Sequence, residues 1–531
     1  MELDIIDKTF IFYAGGLLNY KKENEPLYLK SQLGHKIISN IENKFRSKVE
    51  EVNSDNNVIE IYLKTSNKCN LRCSYCFRKV QEIPFNIEYI EKFVNNVIHK
   101  YKCKKVRLDL TGDSEPLMEI EKLQQIIDTC NNIGEKENVE FIYALNSNGT
   151  VINSKILNFL YSNSILFGFT VEGFSLKNHR RIYSDGAVAQ DDVIKNINKY
   201  KLYKNNLFGT SMTLTSEHED FVVEYKNLLN ICNAISMRIV NTFDELGVVK
   251  ENLEDWKRKY KELTIYLLEQ LKEKKYENFI PILRSRDFFG TYIKAVLFNV
   301  KRNQACLGGY KQVFLNYTGD IYVCSWGYKD NKYKIGEKLS LTDERLNYYE
   351  HYTVDTDRKC KDCDVRYICG GECHIIRGEN KDDDLEPWCE LKKYLIGLSC
   401  YIVDWLRVND IDGINKIKEL ISTNNYVEDS EPYIKVLKEL FRINKISKSA
   451  NVIKNEVESI DNGPILKDFI NYLKQNNFSV HLVDDCNEDF NRYTYILHRI
   501  IGNYNYYEIV KVKEDLPDDY LSNIIIQVMN N

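Results

Sequence analysis

The chain has 531 residues, 43% hydrophobic and 28% charged, with a formal net charge of −5. That is an ordinary globular composition, long enough for about three or four domains, and without a dense basic stripe it excludes the usual nucleic-acid binder. No run approaches the ~18 apolar residues of a membrane span, and Met1 to Lys8 lack a basic stretch leading into an apolar one; the chain reads as cytoplasmic, with no secretory signal and no membrane association.

Residues 1–54 predict a small module. A strand pair at 10–13 and 17–20 flanks Gly15 and Gly16, and a helix covers 32–48. The acid- and amide-rich run 49–57 reads as a linker. A strand at 58–64 then delivers Cys69, Cys73 and Cys76, spaced CxxxCxxC. A 4Fe-4S cluster normally takes four protein sulfurs, so three thiolates on one loop leave one iron free for another ligand. The plainer alternatives are part of a zinc site or a set of core thiols.

Residues 55–245 alternate strands with helices. Ile87, Ile90, Val94, Val97, Ile98 and Tyr101 mark a helix over 87–101, and 118–130 repeats that spacing. Strands occupy 106–111, 140–146, 165–171 and 207–214, with a sixth at 237–240. Such alternation predicts an α/β fold with a parallel sheet, whose ligands gather at the carboxyl ends of the strands. Residues 246–300 carry one long amphipathic helix through Leu253, Trp256, Tyr260, Leu263, Leu267 and Leu271, bridging to the cysteine-rich region at 301–400.

Residues 301–400 hold a second cysteine cluster: Cys306, Cys324, Cys360, Cys363, Cys369, Cys373 and Cys389. Gly319 and Asp320 suit a hairpin turn between 313–317 and 321–324. A pair of zinc knuckles is the alternative here. Fifteen cysteines in a reducing compartment call for something other than disulfides; outside the two clusters, Cys103, Cys130, Cys232, Cys400 and Cys486 read as core thiols. Residues 401–531 predict helices and strands at 478–483 and 524–528 with no chemical motif. Asp382 to Asp384 and Lys445 to Ala450 read as solvated loops.

The CxxxCxxC loop, with Tyr75 before its last cysteine, closely resembles that of the radical SAM superfamily. The resemblance implies a partial (β/α)6 barrel and a cluster whose free iron binds S-adenosylmethionine and yields a 5'-deoxyadenosyl radical. It places Tyr75 near the adenine. Thr111 to Pro116 resemble the superfamily's GGEP segment, which implies cofactor contacts for Gly112, Asp113 and Glu115, although Asp113-Ser114 departs from that pattern. Ser147 and Asn148 resemble the turn after the third strand, and Thr170 to Gly173 the SerXxxAspGly turn. His179 and Arg181 fall in the HisAsp…Arg stretch, where Arg181 pairs with the cofactor carboxylate.

The second cluster resembles the SPASM domain. By that resemblance it holds two auxiliary clusters, giving three 4Fe-4S clusters in all. Cys306, Cys324 and Cys373 would bind the nearer one, and Cys360, Cys363, Cys369 and Cys389 the farther. The nearer is left with an open iron for a substrate thiolate, unless Cys400 or a carboxylate fills it. Residues 1–54 are a truncated leader-peptide module or a cap on the barrel. The whole implies a maturase that cross-links a ribosomally made precursor peptide, thioether first, supplied by a flavodoxin- or ferredoxin-type electron donor. Formylglycine formation, modification of a small molecule or quinone-type cofactor, and a zinc scaffold are the rivals. No general base is assignable.

Overall fold

The computed structural model describes residues 2–13, 16–21, 58–64, 68–76, 86–112, 114–200, 208–242, 244–284, 287–298, 300, 302–380 and 384–422, with strands at 478–483, 492–501, 504–513 and 525–528. The expected helix at 32–48, the linker at 49–57, Asp113, Asp382, Asp383, Lys445 to Ala450 and Cys486 lie outside the described residues.

Three short strands open the chain: β1 (Glu2–Ile5), β2 (Lys8–Tyr13) and β3 (Gly16–Lys21), paired antiparallel in that order. Six parallel strands then form the centre: β4 (Val58–Leu63), β5 (Lys105–Asp109), β6 (Glu140–Ser147), β7 (Leu166–Thr170), β8 (Phe208–Leu214) and β9 (Ile235–Ile239). The crossovers carry α1 (Ile87–Tyr101), α2 (Ile120–Glu137), α3 (Ser154–Ser162), α4 (Gln190–Tyr200) and α5 (Phe221–Leu229). All six expected strands are present, and α1 has the expected bounds because Asn86 caps it by accepting from the Tyr89 N–H.

One strand face packs under the helices. Ile59, Ile61 and Leu63 of β4, Val106 and Leu108 of β5, and Phe167 and Phe169 of β7 belong to a single buried core with α1, α2 and their neighbours. Side chains alternate across a strand, so Glu60, Tyr62 and Lys64 fall on the other face, with Arg107 and Asp109. Of these, Glu60, Lys64, Arg107 and Asp109 are buried, and Arg107 Nη1 lies 3.4 Å from Asp109 Oδ2. The inner face is polar and charged.

The hairpin expected around Gly319 does more than approach the second cluster. β10 (Gln312–Leu315) runs parallel to β4, from Gln312 opposite Glu60 to Leu315 opposite Leu63, so the cysteine-rich segment extends the central sheet. β11 (Ile321–Tyr322), β12 (Lys334–Glu337) and β13 (Ser340–Leu341) add to it antiparallel. Gly319 has φ +86°, the left-handed backbone such a turn requires. At the seam, Lys64 donates from Nζ to the Tyr328 hydroxyl at 2.7 Å.

The region 246–300 is three helices where one was expected: α6 (Leu253–Lys272), α7 (Tyr276–Leu283) and α8 (Phe288–Leu297). Asp287 begins α8 by accepting from the Gly290 N–H at 2.6 Å. The helix α9 (Glu386–Asn409) packs on α8 and α6 and runs straight through residue 400. The expected domain boundary at 400/401 therefore falls inside a helix, and α10 (Ile411–Ser422) continues from it. The N-terminal strands dock on α9, where Tyr401 donates to Asp7 at 2.7 Å and Lys8 pairs with Asp404. A separate antiparallel sheet, β14 (Phe478–Val483), β15 (Arg492–Ile501), β16 (Tyr504–Lys513) and β17 (Ile525–Val528), includes the two expected strands. Among the described residues no helix is long and apolar enough to cross a membrane.

Candidate active site

The loop after β4 is held mainly by backbone hydrogen bonds, with Leu71 N–H also donating to Cys69 Sγ at 3.5 Å. Arg72 N–H donates to Ile182 O at 2.7 Å, Ser74 N–H to Arg180 O at 3.2 Å, and Cys76 N–H to Cys73 O at 3.0 Å. Glu115 N–H reaches back to Lys68 O at 2.8 Å. The three cysteines are free and at least partly accessible. Burial pushes the Cys73 thiol up to about 11; Arg181 opposes that rise, and Cys76 and Cys69 add to it. The trio thus acts on itself.

The ends of β5, β6 and β7 converge on this loop. Glu115 is 1% exposed, and its carboxylate accepts from the Ser147 hydroxyl at 2.8 Å, Asn148 N–H at 2.5 Å and Leu117 N–H at 3.2 Å. Burial raises this carboxyl above its ordinary range, and those three donors hold it down in part. Asn148 turns its amide to Asn70 Oδ1 at 2.8 Å and lies 3.9 Å from Cys69 Sγ. Gly149 comes next with φ +77°, and a Cβ there would stand 3.0 Å from Val193; the turn needs glycine twice over.

Arg181, 2% exposed, straps two strand ends together. Its guanidinium donates to Thr170 O and to Asn148 O, each at 2.6 Å. Glu172 supports the strap by accepting from the N–H groups of Arg180 and Arg181, and His179 Nδ1 lies 3.0 Å from it. His218, 1% exposed, donates from Nε2 to Glu172 O at 2.9 Å and accepts at Nδ1 from Thr215 N–H at 3.0 Å. That pattern requires the neutral ring, and burial lowers the His218 pKa, against the Glu172 carbonyl and the Glu224 carboxylate. A histidine depressed in this way contributes stability above its unfolded value of about 6.5 and loses it as pH falls through the folded value. We expect the denaturant midpoint to fall below about pH 6.5 with one proton's extra slope, and His218→Gln to remove that slope.

The seven later cysteines fall into two sets. Burial takes Cys306 up to about 11 with Cys324 adding to the rise, and Cys373 up to about 12 with Cys306 adding. Cys360, Cys363 and Cys389 are each raised by burial first, and each also feels Cys369. The expected groups of three and four are thus each coupled internally. Cys400 is elsewhere: it is fully buried on α9, and the charges acting on it are Arg407 and Asp404. Cys103, Cys130 and Cys232 are core thiols as expected. Among the described residues no three His, Cys, Asp or Glu side chains are arranged to share a single metal ion.

Residues 63–229, from the end of β4 through α5, match the radical SAM superfamily. The chain carries a radical SAM domain there. It is 26% identical over 314 residues to an uncharacterized protein of Methanocaldococcus jannaschii, MJ0907, covering 56% of this chain and 98% of that one. It is 23% identical to the radical SAM cyclopropyl synthase TigE of Paramaledivibacter caminithermalis, over 70% of this chain and 76% of TigE. It is also 23% identical to a cysteine-type anaerobic sulfatase-maturating enzyme of Clostridium perfringens, over 60% and 90% of the two chains. The solved structure of native anSMEcpe with bound AdoMet shares the fold at TM-score 0.52 and 18% identity, covering 68% of this chain and all of that one.

A radical SAM domain implies a 4Fe-4S cluster and S-adenosylmethionine, and the donors on the β4 loop fit the first: three free thiols on one anchored turn. Of the residues expected at the cofactor, Glu115, Ser147, Asn148, Thr170 and Arg181 form one hydrogen-bonded patch beside Cys69 and Cys73. Tyr75 lies where Arg181 and Cys73 act on it, and Gly112 turns the chain after β5 with φ +55°. The radical SAM motifs mark Glu172 only as part of a turn; its clasp on Arg180 and Arg181 shows only in three dimensions, as does the His218 prop beneath it.

Proposed function

We propose that this radical SAM enzyme is a peptide maturase of the SPASM type, which removes a hydrogen atom from a ribosomally made precursor and installs a cross-link, a thioether by preference. The observation that carries it is the CxxxCxxC loop anchored beside the ends of β5, β6 and β7, together with a seven-cysteine segment that joins the same sheet through β10. When bound, the cluster and S-adenosylmethionine supply a 5'-deoxyadenosyl radical at the β4 loop.

The chain's own residues hold and orient. Cys69, Cys73 and Cys76 would carry the first cluster. Glu115, Ser147, Asn148 and Arg181 keep the strand ends in one arrangement beside it, and Tyr75, Gly112, Asp113 and Thr170 would complete the cofactor contacts. Cys306, Cys324 and Cys373 would supply three sulfurs to a second cluster, and with Cys400 apart from them the fourth position would be left for a substrate thiolate. Glu60 is the carboxylate that acts on Cys306. A one-electron protein of the flavodoxin or ferredoxin type would provide the reducing equivalent. The peptide-modifying reading draws support from the names of the relatives, a cyclopropyl synthase and sulfatase-maturating enzymes.

Formylglycine formation is the second reading, favoured by those maturating relatives; Ser325 after Cys324, where such enzymes usually place an aspartate base, weighs against it. Anaerobic incubation with the peptide encoded beside the gene decides. Stoichiometric 5'-deoxyadenosine, loss of two hydrogens per event and loss of one free thiol are expected. An aldehyde product on a sulfatase-type peptide, with no change in the neighbouring peptide, would replace this assignment with the second.

A further inference from the structure

Two buried side chains lie between the three-thiol set (Cys306, Cys324, Cys373) and the four-thiol set (Cys360, Cys363, Cys369, Cys389) and belong to neither. Lys392 Nζ and Glu372 Oε2 are 2.5 Å apart, with side chains 5% and 7% exposed. The pair has a direction. Glu372 precedes Cys373, and its Oε1 accepts the Cys373 N–H at 2.8 Å, which fastens the carboxylate to the three-thiol set. Lys392 stands one helical turn beyond Cys389 on α9, with its ammonium 4.9 Å from the Phe288 ring centroid.

Two contacts add to the asymmetry: Arg377 Nη2 donates to Cys360 Sγ at 3.4 Å, and the Tyr292 hydroxyl lies 3.9 Å from Cys369 Sγ. A buried ion pair adds little net stability, so stability does not account for this one. Cluster potentials, in contrast, respond strongly to local charge and to hydrogen bonds on sulfur.

We propose that the oriented Lys392–Glu372 pair sets the four-thiol site at a higher reduction potential than the three-thiol site, making the four-thiol site the electron exit. Once a substrate thiolate fills the open position, both sites carry four thiolates, and the pair decides the order. One electron then moves: the three-thiol site is oxidised by one, the four-thiol site is reduced by one, and no bond or proton changes. Lys392 and Glu372 are positioning residues, and the inference rests on the two-cluster reading above.

The test is an anaerobic redox titration of the holoenzyme monitored by EPR, with Cys324→Ala and Cys363→Ala used to assign the signals. Lys392→Met is expected to lower the four-thiol midpoint by at least a tenfold change in equilibrium constant, about 59 mV for one electron. Glu372→Gln is expected to raise the three-thiol midpoint, Lys392→Arg to keep the wild-type value, and the β4-loop cluster to stay put in all. If Lys392→Met does not fold, the near-isosteric Glu372→Gln still decides. Full iron content with unmoved midpoints overturns the proposal and leaves the clusters standing. A Cys363→Ala variant that loses no iron and no signal relative to wild type overturns the cluster reading beneath it.

Discussion

A variant with Cys69, Cys73 and Cys76 all changed to alanine should fold normally, lose one cluster's worth of iron and release no 5'-deoxyadenosine. The fold should survive because the loop's tighter anchors are not thiols: Arg72 and Ser74 donate from the backbone to Ile182 and Arg180, and Asn70 Nδ2 donates to the Thr150 hydroxyl at 2.8 Å. Activity should vanish because these three thiols are the sulfurs that would hold the cluster with one iron left for the cosubstrate. Iron analysis, the thermal midpoint and chromatography of the nucleoside product check all three parts. Residual product at even one hundredth of the wild-type rate would place the radical site elsewhere.

Arg181→Ala should be the most damaging single change outside the cysteines. The side chain is buried, and its loss leaves the Thr170 and Asn148 carbonyls without their donor. Each orphaned buried acceptor costs about 1–3 kcal/mol, so the total is roughly 2–6 kcal/mol. The loss also frees the strand ends that carry Thr170 and Asn148, so affinity for S-adenosylmethionine should fall at least tenfold. Lysine cannot make the forked contact, and Arg181→Lys should recover only part of either quantity. Denaturant melts and equilibrium dialysis measure the two. A variant with wild-type affinity and midpoint would show that the strap is dispensable.

The parallel strands were legible because each is a short apolar or alternating run between helical repeats. The cysteine sets were legible from spacing alone. The pairing of β10 with β4 was not: Gln312 and Glu60 are far apart in sequence, and strand partnership across such a distance leaves no local mark. The hairpin of β15 and β16 escaped because Arg492 to Ile501 mixes charged, aromatic and aliphatic residues without clean alternation. The same limit hid the breaks after α6 and after α7, where apolar residues continue at helical spacing past short turns. The partners of Arg181, Glu172 and His218 are tertiary facts, since each joins segments that only the barrel brings together.

The most direct measurement is the Mössbauer spectrum of anaerobically reconstituted protein with and without S-adenosylmethionine. One iron in the cluster that the alanine triple variant lacks should change its parameters when the cosubstrate is added. A spectrum in which no iron responds, or in which the triple variant retains the responding iron, would contradict the account.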